Sequence, residues 1–341
     1  MKKTNILYGL IVFSFFACLE DAKEIQFYGK TMGTSYTIKT AGCTFHSEEF
    51  MKKSIQKTLD DLDSEFSTYK TDSLISRFNN FNSTQWFTIN YEMFEVVSLA
   101  EKVSELTDGA FDITVAAAVR HWGFGPDKIQ QEPAFSQIAE DRKLIDYRNI
   151  QFRFIKEKNT YELRKTHPHV QIDLSAIAKG YSVDRVASLV RNSGCKNFMV
   201  EIGGEVKAEG KNKSNNNWSI GIESPLPDSM NVYAIAEISD KGIATSGTYR
   251  NFRIYKNQKV SHMFDPKTGK PANNNTVSAS VIMKTTAEAD AFATAFSVQK
   301  SEQALRTANR LGISLYLILL DKKNQFQDVQ SNTLKEIRKN N

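Results

Sequence analysis

The spacing of apolar residues along the chain predicts a series of amphipathic helices. Ser47 and the two acidic residues after it are typical of a helix start, and apolar side chains then recur at helical spacing from Met51 to Phe66. Later segments show similar spacing, and one of them ends at Gly194, a residue type that commonly follows a helix. The predicted helices are 47–66, 91–106, 175–193, 287–298 and 301–311.

Short segments that alternate apolar with polar residues, or are rich in β-branched residues, predict strands between and after these helices. Polar runs at 213–217 and 273–275 separate strands, and no flexible linker divides the chain after Phe27. The mixture predicts one folded unit of α+β class, with mixed or antiparallel sheets and flanking helices, and not a strict βαβ series. The predicted strands are 36–39, 198–202, 218–222, 232–239, 252–255, 277–283 and 313–320.

The first residues have the order of a secretory signal. Two lysines precede an apolar stretch at 6–17, which is too short to span a bilayer. The stretch ends in Phe-Phe-Ala-Cys, which resembles the bacterial lipobox and places the cysteine to be lipidated at Cys18. We therefore expect a lipoprotein signal peptide at 1–17, a tether at 18–27, the folded unit at 28–325 and a C-terminal tail at 326–341. The alternative is an ordinary signal peptide cut near Ala17.

Composition and charge narrow the function classes. The 341 residues are 40% hydrophobic and 24% charged, which is typical of a globular protein. The formal net charge is only +5 and the charges are interleaved, so no basic surface for nucleic acid is expected. Cys43 and Cys195 follow Cys18 without any Cys-x-x-Cys, which excludes a metal ribbon and a thioredoxin-like dithiol. Whether these two cysteines pair is left open.

Two common nucleotide-binding signatures are absent. Gly29-Lys30-Thr31 has the ending of a P-loop, but Glu24 stands where the first glycine is required. Gly123-Phe124-Gly125 begins like a dinucleotide-binding fingerprint, but Lys128 stands in the place of the third glycine. Any nucleotide must therefore be bound in another way.

Asp290 and Thr294 are candidate ligands for a hard cation. They are four residues apart on a predicted helix, so their oxygens lie on one face. Mg²⁺ accepts such sparse protein ligation because it keeps waters and takes phosphate oxygens. The alternative is that Asp290 is an acid of the first helical turn and Thr294 bonds back to the helix.

A second candidate segment contains Asp173 and Lys179. The pattern predicts a strand that delivers Asp173 to a helix start, with Lys179 one and a half turns later. Asp173 could accept a hydrogen bond from a ring N–H or a hydroxyl, Lys179 could bind phosphate, and a helix N-terminus favours an anion. The alternative is an N-terminal helix acid and a solvated lysine.

Two further segments bear polar side chains in unusual settings. Between Asp108 and Asp112, small residues and an aromatic residue suit a loop that approaches a ligand closely. His262 and Asp265 leave a strand together before a Pro-Lys-Thr-Gly turn, and histidine is suited to proton abstraction near neutral pH. The alternative for His262 is a buried, hydrogen-bonded side chain.

The ordered series of these motifs, from about Tyr28 to Leu320, resembles the ApbE family, the FAD:protein FMN transferases, which are often exported lipoproteins. The motifs in this chain are 29–34, 66–69, 108–112, 173–180, 203–204, 244–247, 262–266 and 289–294.

The resemblance implies an α+β fold in which FAD lies in a cleft between two lobes and Mg²⁺ lies against its pyrophosphate. The matching positions imply an FAD site formed by Met32, Tyr69, Ala110, Phe111, Asp112, Asp173, Lys179 and Phe264. They imply a metal site formed by the Ala176 carbonyl, Asp290 and Thr294, with the Ala293 backbone close by. Phe264 stands where the family commonly has an aliphatic residue.

The expected reaction is Mg²⁺-dependent transfer of FMN from FAD to a Thr or Ser hydroxyl of an acceptor protein, with release of AMP. We hypothesise that His262 deprotonates that hydroxyl and that Asp265 orients His262. Family analogy points to flavin subunits of membrane redox complexes as acceptors. We expect the enzyme to be exported and anchored to the membrane through Cys18. Two alternatives stay open, a Mg²⁺-dependent FAD pyrophosphatase that gives FMN and AMP, and a non-catalytic FAD-binding lipoprotein.

Overall fold

The computed structural model describes residues 23–127, 129, 131–226, 231–248, 252–255 and 258–339. The expected signal peptide, Cys18 and the first part of the tether lie outside these residues. Within the described part, no helix combines the length and the apolar character needed to cross a membrane.

Helices and strands alternate irregularly along the chain, as an α+β fold requires. The helices are α1 (Glu48–Phe66), α2 (Leu74–Asn80), α3 (Tyr91–Leu106), α4 (Ala116–His121), α5 (Phe135–Leu144), α6 (Ala178–Asn192), α7 (Thr286–Val298) and α8 (Ser301–Leu311). The strands are β1 (Glu24–Thr31), β2 (Thr34–Ala41), β3 (Phe87–Ile89), β4 (Ile150–Ile155), β5 (Thr160–Lys165), β6 (Phe198–Ile202), β7 (Glu205–Glu209), β8 (Trp218–Glu223), β9 (Val232–Ile238), β10 (Lys241–Gly247), β11 (Phe252–Tyr255), β12 (Gln258–Ser261), β13 (Phe264–Asp265), β14 (Lys270–Pro271), β15 (Thr276–Met283), β16 (Ser314–Leu320), β17 (Phe326–Gln330) and β18 (Ile337–Lys339).

A central antiparallel sheet with the order β1-β2-β6-β7-β10-β15-β16-β17 organises the fold. On one face, α6 packs against β6 and β7, and α7 packs against β10 and β15. The smaller sheet β18-β9-β8 shares a hydrophobic core with the other face. Successive side chains of β16 alternate between these cores, with Leu315 and Leu317 toward α7 and Tyr316 and Ile318 toward the small sheet. The predicted α+β class with antiparallel sheets is confirmed.

Most predicted helices and strands are found, and α6 is the informative exception. Residues 175–177 form a turn, so α6 begins at Ala178 and Lys179 lies in its first turn. The residues before Asp173 are extended but belong to no strand, and the Asp173 N–H donates instead to the Ile113 carbonyl at 2.8 Å. The predicted strand and the predicted distance of Lys179 from the helix start are therefore wrong.

Both ends of the folded unit extend further than predicted. Strand β1 starts at Glu24, within the expected tether, because Ile25 and Phe27 are buried in the core beneath α1. The expected tail includes β17, which pairs with β16, and β18, which pairs with β9. The folded unit thus includes residues 24–27 of the expected tether, and the strands after Leu320 extend both sheets.

A disulfide joins Cys43, just after β2, to Cys195, just after α6. The two residues are 152 positions apart in the chain, and their Cα atoms are 5.2 Å apart. The bridge therefore closes a long loop that contains α1 to α6 and holds the β1-β2 hairpin beside β6.

Removal of this disulfide should lower the stability of the fold. We expect Cys43→Ala/Cys195→Ala to lose roughly 2–5 kcal/mol of unfolding free energy, since a native cross-link restricts the unfolded chain. Chemical denaturation of both proteins, with and without reductant, measures the loss. Reductant should destabilise the native chain and leave the double variant unchanged; equal stability of the oxidised native chain and the double variant would contradict the expectation.

Candidate active site

A cavity of about 490 Å³ collects most of the residues that the sequence singled out. Its volume lies in the range of small-molecule binding pockets. Loops after α1 and α3, the start of α6, the β6-β7 turn, β8, β10 and α7 form its wall. The predicted site residues that line it are Tyr69, Ala110, Phe111, Asp112, Asp173, Ala176, Lys179, His262, Phe264, Asp290 and Thr294.

Three predicted site residues do not line the cavity. Met32 lies in the β1-β2 turn at a φ of 47°, and its Sδ accepts a hydrogen bond of 3.6 Å from the Ser182 hydroxyl. Ala293 is buried within α7. The Asp265 carboxylate accepts hydrogen bonds from the Lys267 N–H and the Thr268 hydroxyl, at 2.9 and 3.2 Å, and so closes its own turn. That Asp265 orients His262 stays a prediction.

The loop after α3 is held in shape by Asp112. Asp108 and Gly109 adopt positive φ values of 59° and 70°, which turn the chain sharply. One Asp112 oxygen accepts from the Thr114 N–H at 2.8 Å and its hydroxyl at 2.6 Å, and the other accepts from the Tyr147 N–H at 2.8 Å. Burial raises the pKa of Asp112 to about 6 despite these donors. Asp112 therefore anchors the loop that presents Phe111 to the cavity.

Asp290 is positioned by close contact between α6 and α7. Its Oδ2 accepts a hydrogen bond of 3.0 Å from the Gly180 N–H. A Cβ atom on Gly180 would lie 2.4 Å from the Thr286 carbonyl oxygen and 2.8 Å from the Asp290 Cβ, so only glycine permits this approach. Asp290 lies in the second turn of α7, which excludes the alternative that it is a first-turn acid.

Thr294 follows Asp290 by one turn and faces the same cavity. Its Oγ1 is 3.2 Å from the hydroxyl oxygen of Ser246, which comes from β10. Helix α7 and the central sheet thus place a carboxylate and a hydroxyl side by side at the cavity wall.

Lys179 is half-buried, and its side chain pairs with carboxylates at the cavity wall instead of extending freely into solvent. Its Nζ donates to Glu205 Oε1 at 2.5 Å, and Asp290 is a second carboxylate within electrostatic reach. Burial lowers the pKa of Lys179, but Glu205, Asp290 and Glu201 together outweigh burial and the pKa is raised overall. Burial likewise raises the pKa of Glu205 and of Asp290. The alternative of a solvated lysine is therefore wrong.

Glu205 is a site residue that sequence reasoning missed. It directly follows Gly203 and Gly204, whose φ values of 63° and 105° form the tight β6-β7 turn. The glycine pair was a visible signal for a turn at the site, but nothing in the local pattern indicates that the next glutamate is buried.

The oxygen set suits a sparsely bound hard cation. Within the described ranges, no group of three or more His, Cys, Asp or Glu side chains could hold a metal ion. The cavity wall instead offers the Asp290 carboxylate, the Thr294 hydroxyl and the Ala176 backbone. Glu205 Oε2 is also buried there without a hydrogen-bond partner. Oxygen donors of this kind fit Mg²⁺, which completes its shell with water and phosphate.

Comparison with known proteins identifies the family. A sequence model described as the ApbE family matches residues 32–317. The chain belongs to the ApbE family. An FAD:protein FMN transferase of Haemophilus influenzae is 37% identical over 328 residues, which cover 94% of each chain. The Escherichia coli K12 protein of the same name is 34% identical over 291 residues, which cover 85% of this chain and 82% of that one.

Solved ApbE structures share the fold. The flavin transferase ApbE of Vibrio cholerae matches with a TM-score of 0.83 and 34% identity, over 92% of this chain and 98% of that one. The apo form of the Pseudomonas stutzeri flavinyl transferase ApbE matches with a TM-score of 0.81 and 30% identity, over 92% and 96%. The predicted ApbE membership is confirmed.

The contact at Gly180 can be tested in this ApbE family member by Gly180→Ala. Helix propensity alone would make this change stabilising by up to about 1 kcal/mol. We expect a loss of about 1–3 kcal/mol instead, because the added methyl group pushes α6 from α7. Thermal unfolding measures the sign of the change, and a fluorescence assay of flavin transfer should show loss of activity. Ser188→Ala, on the same helix, is the control and should leave both unchanged; stabilisation by Gly180→Ala would contradict the close contact.

Proposed function

We propose that this protein uses Mg²⁺ to transfer FMN from FAD to a Thr or Ser hydroxyl of an acceptor protein, with release of AMP. Flavin transfer from FAD to an acceptor protein is the activity for which its relatives are named. The observation that carries the proposal is the meeting of Asp290, Thr294, Lys179 and His262 in one cavity. Together they supply an oxygen set for a cation, a positive charge and a base.

Aromatic, apolar and cationic groups on the cavity wall support the proposal that FAD binds there. The Tyr69 side chain is 69% exposed at the cavity wall, so its ring is available for stacking on a flat ligand. Phe111 and Phe264 provide apolar contacts deeper in the wall. Lys179 and the N-terminus of α6 supply positive charge where a pyrophosphate would bind. Asp173 lines the same cavity, and we propose Met32 as a member of the FAD site although it lies outside the cavity lining.

Asp290 and Thr294 would hold Mg²⁺ with the Ala176 carbonyl, and the Ala293 backbone would lie nearby. When bound, Mg²⁺ supplies neutralisation of the charge on the pyrophosphate oxygens. The chain itself positions both side chains. The Gly180 N–H donates a hydrogen bond to Asp290, and the Ser246 hydroxyl is hydrogen-bonded to that of Thr294. These contacts hold both side chains at the cavity wall.

His262 would act as the base on the acceptor hydroxyl. It is half-buried on the cavity wall beside the Phe124 ring, with 6.3 Å between the ring centroids. The hydroxyl oxygen forms a bond to the FMN-side phosphorus, the bond to the AMP phosphate breaks, and the hydroxyl proton passes to the imidazole. Asp265, whose turn follows His262 closely, would orient the ring.

We further propose that the protein is exported and anchored to a bacterial membrane through lipidated Cys18. The signal pattern at 6–17 supports export, and so does the disulfide, since such bonds persist in oxidising compartments. Flavin subunits of membrane redox complexes would then be acceptors within reach.

Loss of the anchor should release the protein from the membrane. We expect the native chain in the membrane fraction of cells and Cys18→Ser in the soluble exported fraction, because a serine cannot receive the thioether-linked lipid. Fractionation followed by immunoblotting measures the distribution. Identical membrane retention of both proteins would refute the anchor.

Incubation with FAD, Mg²⁺ and a candidate acceptor tests the reaction itself. We expect a fluorescent acceptor band and AMP with the native protein. Asp290→Ala should abolish transfer because the cation ligand is lost, and His262→Ala should slow it by roughly 100-fold or more as a general base is removed. In-gel flavin fluorescence and nucleotide analysis give the readout.

Each other outcome of that incubation has a definite meaning. Free FMN without a labelled acceptor would indicate the pyrophosphatase, and unchanged FAD would indicate a storage protein. If His262→Ala transfers FMN at the full rate while Asp290→Ala is inactive, the role of His262 as a base is refuted and the role of Asp290 in metal binding is retained. Ser188→Ala is the control variant, because it lies on α6 away from the cavity lining.

A further inference from the structure

Glu205 is a buried carboxylate that the reaction outlined above does not use. Its side chain lines the cavity although the residue is only 3% exposed. Oε1 accepts the hydrogen bond from Lys179, whereas Oε2 is buried without a partner. A buried carboxylate oxygen without a donor is costly, so such an atom calls for a donor that arrives with a ligand.

The charges around Glu205 favour a cation as part of that ligand. Glu205 and Asp290 interact electrostatically with each other and with Lys179. Carboxylates thus outnumber the single ammonium group here, since Glu201 also acts electrostatically on Lys179. These carboxylates would favour a divalent cation, whose charge would in turn favour a pyrophosphate in the cavity.

A hydrated Mg²⁺ would also bring the missing donors. Mg²⁺ binds few protein groups and retains several waters, and each retained water donates hydrogen bonds. Carboxylates beyond the direct ligands commonly accept these bonds and orient the metal. Glu205 projects from β7 into the cavity that Asp290 and Thr294 line from α7, so it approaches from a different element.

We propose that Glu205 is a positioning residue for the cation: its Oε2 accepts a hydrogen bond from a water bound to the Mg²⁺ that Asp290 and Thr294 hold. This inference rests on the proposed Mg²⁺ dependence of the site. Lys179, paired with Oε1, keeps the carboxylate turned so that Oε2 remains available for the water.

Binding of Mn²⁺ alone tests the inference without catalysis. The free-ion EPR signal is titrated with the purified full chain, with Glu205→Gln and with Glu201→Gln. Glu201 is the matched control, because it is half-buried near Lys179, its Oε1 accepts from the Gly204 N–H at 2.8 Å, and it does not line the cavity. We expect Kd for Mn²⁺ to rise about tenfold in Glu205→Gln and less than twofold in Glu201→Gln.

Two more variants separate positioning from charge and from the Lys179 contact. Glu205→Asp keeps the charge but withdraws the oxygens by one methylene, and we expect it to weaken Mn²⁺ binding severalfold. In a Lys179→Met background, Glu205→Gln should still raise Kd, because the affected contact is to the hydrated ion. Native affinity in Glu205→Asp, or no effect of Glu205→Gln in the Lys179→Met background, would overturn the inference.

The outcome for the native chain distinguishes the two proposals. If the native chain binds no Mn²⁺, the proposed metal dependence fails and the inference fails with it. If the native chain binds Mn²⁺ and Glu205→Gln binds it equally, only the role of Glu205 is refuted.

Discussion

The close contact of α6 with α7 at Gly180 is the constraint on which the site depends. One backbone N–H at the start of α6 fixes the carboxylate of Asp290, and the absence of a side chain on Gly180 lets the two helices approach. The same first turn of α6 carries Lys179, so one contact places a positive and a negative group together. Asp184, one turn further along α6, accepts hydrogen bonds from the first two N–H groups of α7, at 3.0 and 2.9 Å. Two separate sets of hydrogen bonds, at Gly180 and at Asp184, thus fix the position of α6 relative to α7.

Burial of charge is what distinguishes this cavity from an ordinary surface cleft. A buried ammonium is tolerated when carboxylates surround it, and a buried carboxylate is tolerated when donors satisfy its oxygens. Lys179 is half-buried and pairs with Glu205, whereas only one oxygen of the buried Glu205 carboxylate has a donor. Within the described part of the protein no residue donates a hydrogen bond to this second oxygen, which favours a positively charged ligand that donates hydrogen bonds over a neutral one.

The sequence predicted most helices and strands correctly because these elements depend on residues that are close together in the chain. The N-cap Ser47, whose hydroxyl accepts from the Phe50 N–H, and the spacing in α1 belong to one continuous segment. The ordered motifs likewise identified the family and most of the residues that line the cavity. The turn at 175–177, the strands of the expected tail and the burial of Glu205 depend on contacts with distant elements. No local periodicity encodes such contacts, so they required the structure.

The disulfide also determines an order of events during biosynthesis. Strand β2 pairs with β6, so the β1-β2 hairpin is made long before its neighbour in the central sheet exists. Cys43 is therefore made well before its partner Cys195, which follows 152 residues later. Contacts between residues so distant in the chain form slowly, since a long loop must close first. We therefore expect the disulfide to close late in folding. Once formed, the Cys43–Cys195 bond indicates that the β1-β2 hairpin lies beside β6.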